Sequence, residues 1–162
     1  MRLSSVAEFP ARHLISQICI DSRCLQSTIL VCIGSSTYGM PAVKVLFFRE
    51  DDEVPVLDWL LSDPNEEAQD RCVTRIEMLS DAGHAARRPL VENLGRGIYE
   101  LRARVGRQNY RILFFFFERA AVVLTSGFTK EREVSRGEID LALERKAAFE
   151  ESPETHYADV DL

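Results

Sequence analysis

From Met40 onward, apolar and polar positions fall into recognisable periods. Val43 to Phe48 is a β-branched and aromatic run, which predicts a strand. Asp51 to Leu61 predicts a short helix with Val54, Leu57, Trp59 and Leu61 on its apolar side and Pro55 in its first turn. Asp63-Pro64-Asn65-Glu66 reads as a second helix start, with Asp63 as cap, Pro64 at the first helical position and Glu66 closing a capping box. Cys72, Val73, Ile76 and Leu79 then recur at helical spacing, and Gly83 supplies a stop. Three strands are expected next: Ile98 to Val105, Asn109 to Phe117 and Ala120 to Ser126. The short turns between them imply an antiparallel meander. Ser135-Arg136-Gly137-Glu138 is another capping box, and it opens a last helix to about Phe149 with Ile139, Ala142, Leu143 and Phe149 facing a core. Ser152 to Leu162 is acidic, contains Pro153, and reads as a frayed tail. The order β-α-α-β-β-β-α predicts an α+β class, a small antiparallel sheet with helices packed on one face.

The hairpin Ile98 to Phe117 carries the most informative alternation. Tyr99, Leu101, Ala103 and Val105 point one way, and Glu100, Arg102 and Arg104 the other. On the second strand Tyr110, Ile112, Phe114 and Phe116 share a face, with Arg111 and Leu113 opposite. Register must keep the apolar sets together. An even loop, such as Arg107-Gln108, does so, sets Arg104 across from Arg111, and gathers three guanidinium groups on one face. An odd loop would bury Arg111 among Leu101 and Ala103 at a cost of several kcal/mol. Three clustered arginines call for an anionic ligand or for carboxylate partners. The run Phe114 to Phe117 fits a strand buried on much of both faces.

Charge sharpens this picture. The chain carries a net charge of -6, but Arg87 to Arg119 holds eight arginines against the three acids Glu92, Glu100 and Glu118. The stretches on either side are acidic: Met40 to Ala86 has eleven acids against four basic residues, and Ala120 to Leu162 has ten against five. A basic centre between acidic flanks suits an anion-binding face, or equally a solvated strand face of Arg–Glu pairs. Arginine rather than lysine favours bidentate contact with phosphate and stacking on bases.

Cys19, Cys24, Cys32 and Cys72 form no metal-ligand spacing and read as free thiols in a reducing cytoplasm. The longest apolar run, Leu113 to Phe117, is far below the roughly 20 residues that span a bilayer. No Ser-His-Asp set, glycine-rich phosphate loop or zinc motif is evident, so no cofactor is expected. His84 stands in a loop beside Arg87 and Arg88, as an auxiliary contact or as an exposed loop histidine. Met1 to Gly39 differs from the rest, with seven serines and five charged side chains. The simplest expectation is that Met40 is the natural start. The alternatives are a poorly packed arm or an added strand at a sheet edge. The expected organisation is thus residues 1–39 as an extension, 40–150 as the domain and 151–162 as an acidic tail.

Leu94, the run Gly97-Ile98-Tyr99-Glu100-Leu101-Arg102, the run Tyr110-Arg111-Ile112-Leu113-Phe114-Phe115, then Gly127-Phe128-Thr129-Lys130, then Glu138-Ile139 with Ala142 and Arg145, together resemble RelE/HigB-type toxins. The match is closest to the phage-derived HigB-like branch and covers about Val43 to Glu150. The resemblance implies a microbial-ribonuclease-like fold and a cytoplasmic, metal-independent endoribonuclease that cuts mRNA on the ribosome. It implies the toxin part of a type II toxin–antitoxin pair, neutralised by a helix-turn-helix (HigA-like) antitoxin. By the family pattern Arg102 and Arg111 stand on the sheet face, and Lys130 approaches from the loop after the last strand, with Arg132 beside it as the fourth catalytic candidate. Arg87, Arg88, Arg96, Arg104 and Arg136 are the candidates for holding RNA. The chain departs from the pattern at Glu131, where a basic residue is usual. Arg132 and Arg136 could compensate, or Glu131 could act as a base. The alternative is a decayed, non-catalytic toxin or an antitoxin-binding module.

Overall fold

Five β-strand segments of the central chain and a short sixth one join in a single sheet. They are β1 (Lys44–Phe48), β2 (Val91–Gly95), β3 (Ile98–Val105), β4 (Gln108–Phe117), β5 (Ala121–Lys130) and β6 (Tyr157–Ala158). The computed structural model describes residues 42–62, 64–130 and 134–160, with residue 130 as backbone only. These residues fall within one compact unit. The expectations for residues 1–39, and for Asp63, Glu131 and Arg132, lie outside the described residues. The strand order is β2-β3-β4-β5-β1-β6, antiparallel except where β1 runs parallel to β5. The expected α+β class is observed.

Three helices complete the fold: α1 (Pro55–Ser62), α2 (Glu66–Ala82) and α3 (Arg136–Glu151). Val56 and Leu60 are the buried stripe of α1, and Ala68, Cys72, Ile76 and Leu79 that of α2. The start of α2 differs from the sequence reading. Asn65 is the cap, with an extended backbone, and its Oδ1 accepts from the Ala68 amide at 3.0 Å. Glu66 is then the first helical residue and sits with Glu67 where the positive end of the helix dipole favours acids. The capping box at α3 is present as expected: the Ser135 amide donates to Glu138 Oε2 at 2.7 Å, and the Glu138 amide to Ser135 Oγ at 3.4 Å.

The helices do not share one face. α1 and α2 bury Phe47, Leu101, Ala103, Tyr110, Ile112, Phe114, Val122 and Leu124. α3 covers the opposite face, where Ala142 and Phe149 join Leu46, Phe48, Ile98, Leu113, Phe115 and Val123. The physical reason lies in β4. Phe114 and Phe115 are both fully buried although they point to opposite faces, so that end of the sheet needs a cover on each side.

Register also differs in detail. Val105 pairs with Gln108, which leaves Gly106-Arg107 as the loop. Gly106 takes φ +57° at the first turn position, which glycine adopts without steric cost. The loop is even, as expected, but one residue earlier, so Arg102 rather than Arg104 stands opposite Arg111, and Arg104 pairs with Asn109. A slip of two partners preserves the faces, so the three arginines still share one side.

Two strands were not anticipated, β2 and β6, and β5 runs on to Lys130. Residues 152–160 do not fray: β6 pairs with β1 through Phe47↔Ala158 and Phe48↔Tyr157, and the His156 ring stacks on Phe48 at 5.5 Å. In β5 the register jumps, since Leu113 faces Ser126 and Phe114 faces Leu124. Thr125 is therefore a bulge residue, and its hydroxyl donates to the Leu113 carbonyl at 3.1 Å. The bulge inverts the alternation of β5. Val123 faces α3, and beyond the bulge so do Ser126 and Phe128, while Gly127 turns to the α1 side.

Candidate functional site

Beyond the end of the α3 cover, the same sheet face carries charge instead of phenylalanine. Strand alternation places Glu100, Arg102 and Arg104 of β3 there, with Arg111 of β4 and Glu92 of β2. The side chains form a connected chain across three strands. Arg102 donates through Nε to Glu100 Oε1 at 2.8 Å, and Arg111 donates through Nη1 to the same oxygen. Arg102 Nη2 lies 3.1 Å from Glu92 Oε2, and Arg88 pairs with the other oxygen of Glu92. Three guanidinium groups thus meet two carboxylates, and one positive charge is left over.

Exposure is graded along this chain. The Glu100 side chain is 3% exposed, Arg111 15%, Arg102 35% and Arg88 74%. Glu100 is therefore the floor of the cluster, and the guanidinium groups lie between it and solvent. A carboxylate this buried persists only because charge-assisted hydrogen bonds meet it. Along the sequence Glu100 stands out only as one polar position among those of β3, and the structure makes it a site residue. Its signal was present: alternation puts it on the face of Arg102, two residues away.

The other expected site residues divide. Arg104 is exposed beside the hairpin turn, where its Nε donates to the Gly106 carbonyl at 3.0 Å. Arg88 is part of the cluster. Arg87 is exposed and donates through Nη1 to the His84 and Ala86 carbonyls, each at 2.7 Å, which stiffens the loop before β2. Arg136 is exposed at the first position of α3. Arg96 is not brought to the cluster. It occupies the β2–β3 turn at the far end of β3, about 20 Å from Arg102 at strand rise, and it pairs with Asp140 of α3 at 2.9 Å. Lys130 is the last residue of β5, paired with Asn109, rather than part of a following loop. His84 is neither freely exposed nor on the arginine face: it stacks on Phe116 at 4.0 Å, on the side covered by α1 and α2.

Arg145 has a role that only the structure shows. From α3 it donates through Nη1 to the Thr125 carbonyl at 2.8 Å and to Ser126 Oγ at 3.0 Å, and it lies over the Phe48 ring at 5.6 Å. It fastens the bulge that turns Phe128 toward the arginine face. Beside Phe128, Arg111 is its direct partner across β4–β5. The site thus rests on three rigid strands, with its rim in the loop before β2 and the β3–β4 turn. Paired guanidinium groups of this kind bind oxyanions by forked, charge-assisted hydrogen bonds.

Among the described residues there is no group of three or more His, Cys, Asp or Glu side chains arranged to hold a metal ion. Nor is any helix among them long and apolar enough to cross a membrane. No curated protein matches the chain. The sequence model of the family described as "Phage derived protein Gp49-like (DUF891)" matches residues 58–147, from α1 to most of α3. That span is more than half of the chain and contains the hairpin, the bulge and Arg145. The chain belongs to this phage-derived Gp49-like family, which is associated with toxin–antitoxin systems.

Proposed function

We propose that the protein is the toxin of a type II toxin–antitoxin pair and cuts messenger RNA on the ribosome. The observation that carries this reading is the pair Arg102 and Arg111, held side by side on adjacent strands at the open part of the sheet. In the proposed reaction the RNA 2′-OH gives up its proton to the surroundings as its oxygen attacks the neighbouring phosphorus. The bond to the 5′-oxygen breaks, a 2′,3′-cyclic phosphate forms, and the leaving 5′-oxygen takes up a proton, so the net proton count is unchanged. Negative charge builds on the phosphorane oxygens, and guanidinium groups aimed there lower the barrier. Arg102 and Arg111 take that part, with Lys130 and Arg132 as the further cationic candidates. Arg87, Arg88, Arg104 and Arg136 would contact flanking phosphates. The partner is a helix-turn-helix antitoxin, and the site of action is the cytoplasm.

Inducible expression should arrest growth, and Arg111→Ala or Arg102→Ala should relieve the arrest and the mRNA cuts mapped by 5′-end sequencing. Equal harmlessness of wild type and variants, with no cuts in ribosome-bound mRNA, would sink the reading.

A second reading is an antitoxin-binding module without catalysis. Glu100 and Glu92 favour it, because they already engage both guanidinium groups. Co-purification with a helix-turn-helix partner, without any mRNA cutting, would select it.

A further inference from the structure

Glu100 poses a problem for any phosphate site. A carboxylate offers a guanidinium group the same paired oxygens that a phosphate does. Glu100 gives a single oxygen to both Arg102 and Arg111, from the buried side of the cluster. Glu92 adds a second carboxylate from β2. An anion arriving from solvent therefore meets arginines whose charge is largely neutralised from beneath. The three guanidinium groups of Arg88, Arg102 and Arg111 less the two carboxylates leave one net positive charge in the cluster.

We infer that Glu100 is an internal counter-ion that limits the site's affinity for RNA, so that the arginine pair binds a free strand only weakly and works on RNA that another surface presents. The inference rests on the reading above that the ligand is RNA. It deepens that reading by giving one residue the task of restricting the substrate to presented RNA. A free strand must win most of its binding from phosphate contacts. A self-neutralised site denies it most of that energy. RNA held by a ribosome needs no such affinity from this site, only stabilisation of charge that develops during cleavage.

The test is equilibrium binding of a fluorescent single-stranded RNA oligonucleotide to the full chain across a salt series. Glu100→Gln keeps the shape and a hydrogen-bond acceptor but removes the charge. Freeing one positive charge steepens the salt dependence by about 0.7 log units per decade, which is about fivefold tighter binding at 0.1 M salt. The gain should shrink toward nothing near 1 M. Arg111→Ala, run beside it, should weaken binding by the wild-type chain.

The outcomes separate the two ideas. If Arg111→Ala weakens binding but Glu100→Gln leaves it unchanged or weakens it too, the counter-ion role is overturned and the RNA reading stands. If Arg111→Ala binds RNA as the wild type does, RNA does not use this face, and both ideas fall. Should Glu100→Gln not fold, Glu92→Gln takes its place, since Glu92 is less buried and touches Arg102 from the neighbouring strand. It should tighten binding in the same direction by a smaller factor, and no tightening would overturn the inference.

Discussion

Gly127→Ala is the sharpest test of how the sheet separates its two faces. A Cβ at Gly127 would lie 2.0 Å from Trp59 Cε3, 2.5 Å from Cδ2 and 2.6 Å from Cζ3. Carbon atoms pack at about 3.5–4.0 Å, so the indole must retreat by roughly 1.5–2 Å. Trp59 belongs to α1, which packs against β5, so the displacement is passed to the helix. Overpacking of this kind costs about 1–3 kcal/mol. With a urea m-value of about 1–3 kcal/mol/M, the unfolding midpoint should fall by about 1 M. Trp59 is the sole tryptophan in the chain, so its fluorescence reports both the unfolding transition and the changed packing of the folded state. The arginines lie on the other side of the sheet, so the Arg102–Glu100–Arg111 cluster should be unchanged in the folded variant. Trp59→Leu combined with Gly127→Ala should cost less than the two single changes added together, by about 1 kcal/mol or more. An unchanged midpoint and emission maximum in Gly127→Ala would refute the close contact, and with it the bulge that aims Gly127 at α1.

Two further predictions are independent of ligand. Ser135→Ala removes a two-sided cap and should cost about 1 kcal/mol, read as a lower midpoint in chemical denaturation. Burial pushes the Cys72 thiol up from 9.0 to about 12. Its folded pKa is raised, so its contribution is fully present below about pH 9 and is lost progressively as pH rises from 9 to 12, where only the unfolded chain ionises. Alkylation at pH 8 followed by peptide mapping should leave Cys72 unmodified in the native protein and modify it in urea. Modification at the same rate in both would contradict the burial.

Local periodicity carried much of the fold. Alternation marks β3 with its observed ends, Ser135 and Glu138 mark the start of the last helix, and alternation puts Arg102, Arg104 and Arg111 on one side, because alternation and capping depend on neighbours in the chain. The Phe114 to Phe117 run already implied two buried faces, yet the helices were still assigned to one, since nothing local says where a distant helix returns. Strands β2 and β6 are short segments whose pairing comes from contact with β3 and β1, not from any run of their own. For the same reason Ser152 to Leu162 read as frayed, although its residues close the edge of β1.

For the site, the sequence by itself determined that Arg102, Arg104 and Arg111 share one side of a hairpin. The period of two and the cost of burying a charge allow nothing else. Tertiary structure decided which of them face each other, because the turn begins at Gly106, where positive φ is tolerated. It also decided that Glu100 meets Arg111 and that Glu92 meets Arg102, since each of these contacts needs two neighbouring strands in register. The bulge at Thr125, clamped from α3 by Arg145, decided that Phe128 looks toward the arginines and Gly127 toward Trp59. A one-residue change of phase leaves no mark in composition or period, and only the pairing of β4 with β5 reveals it.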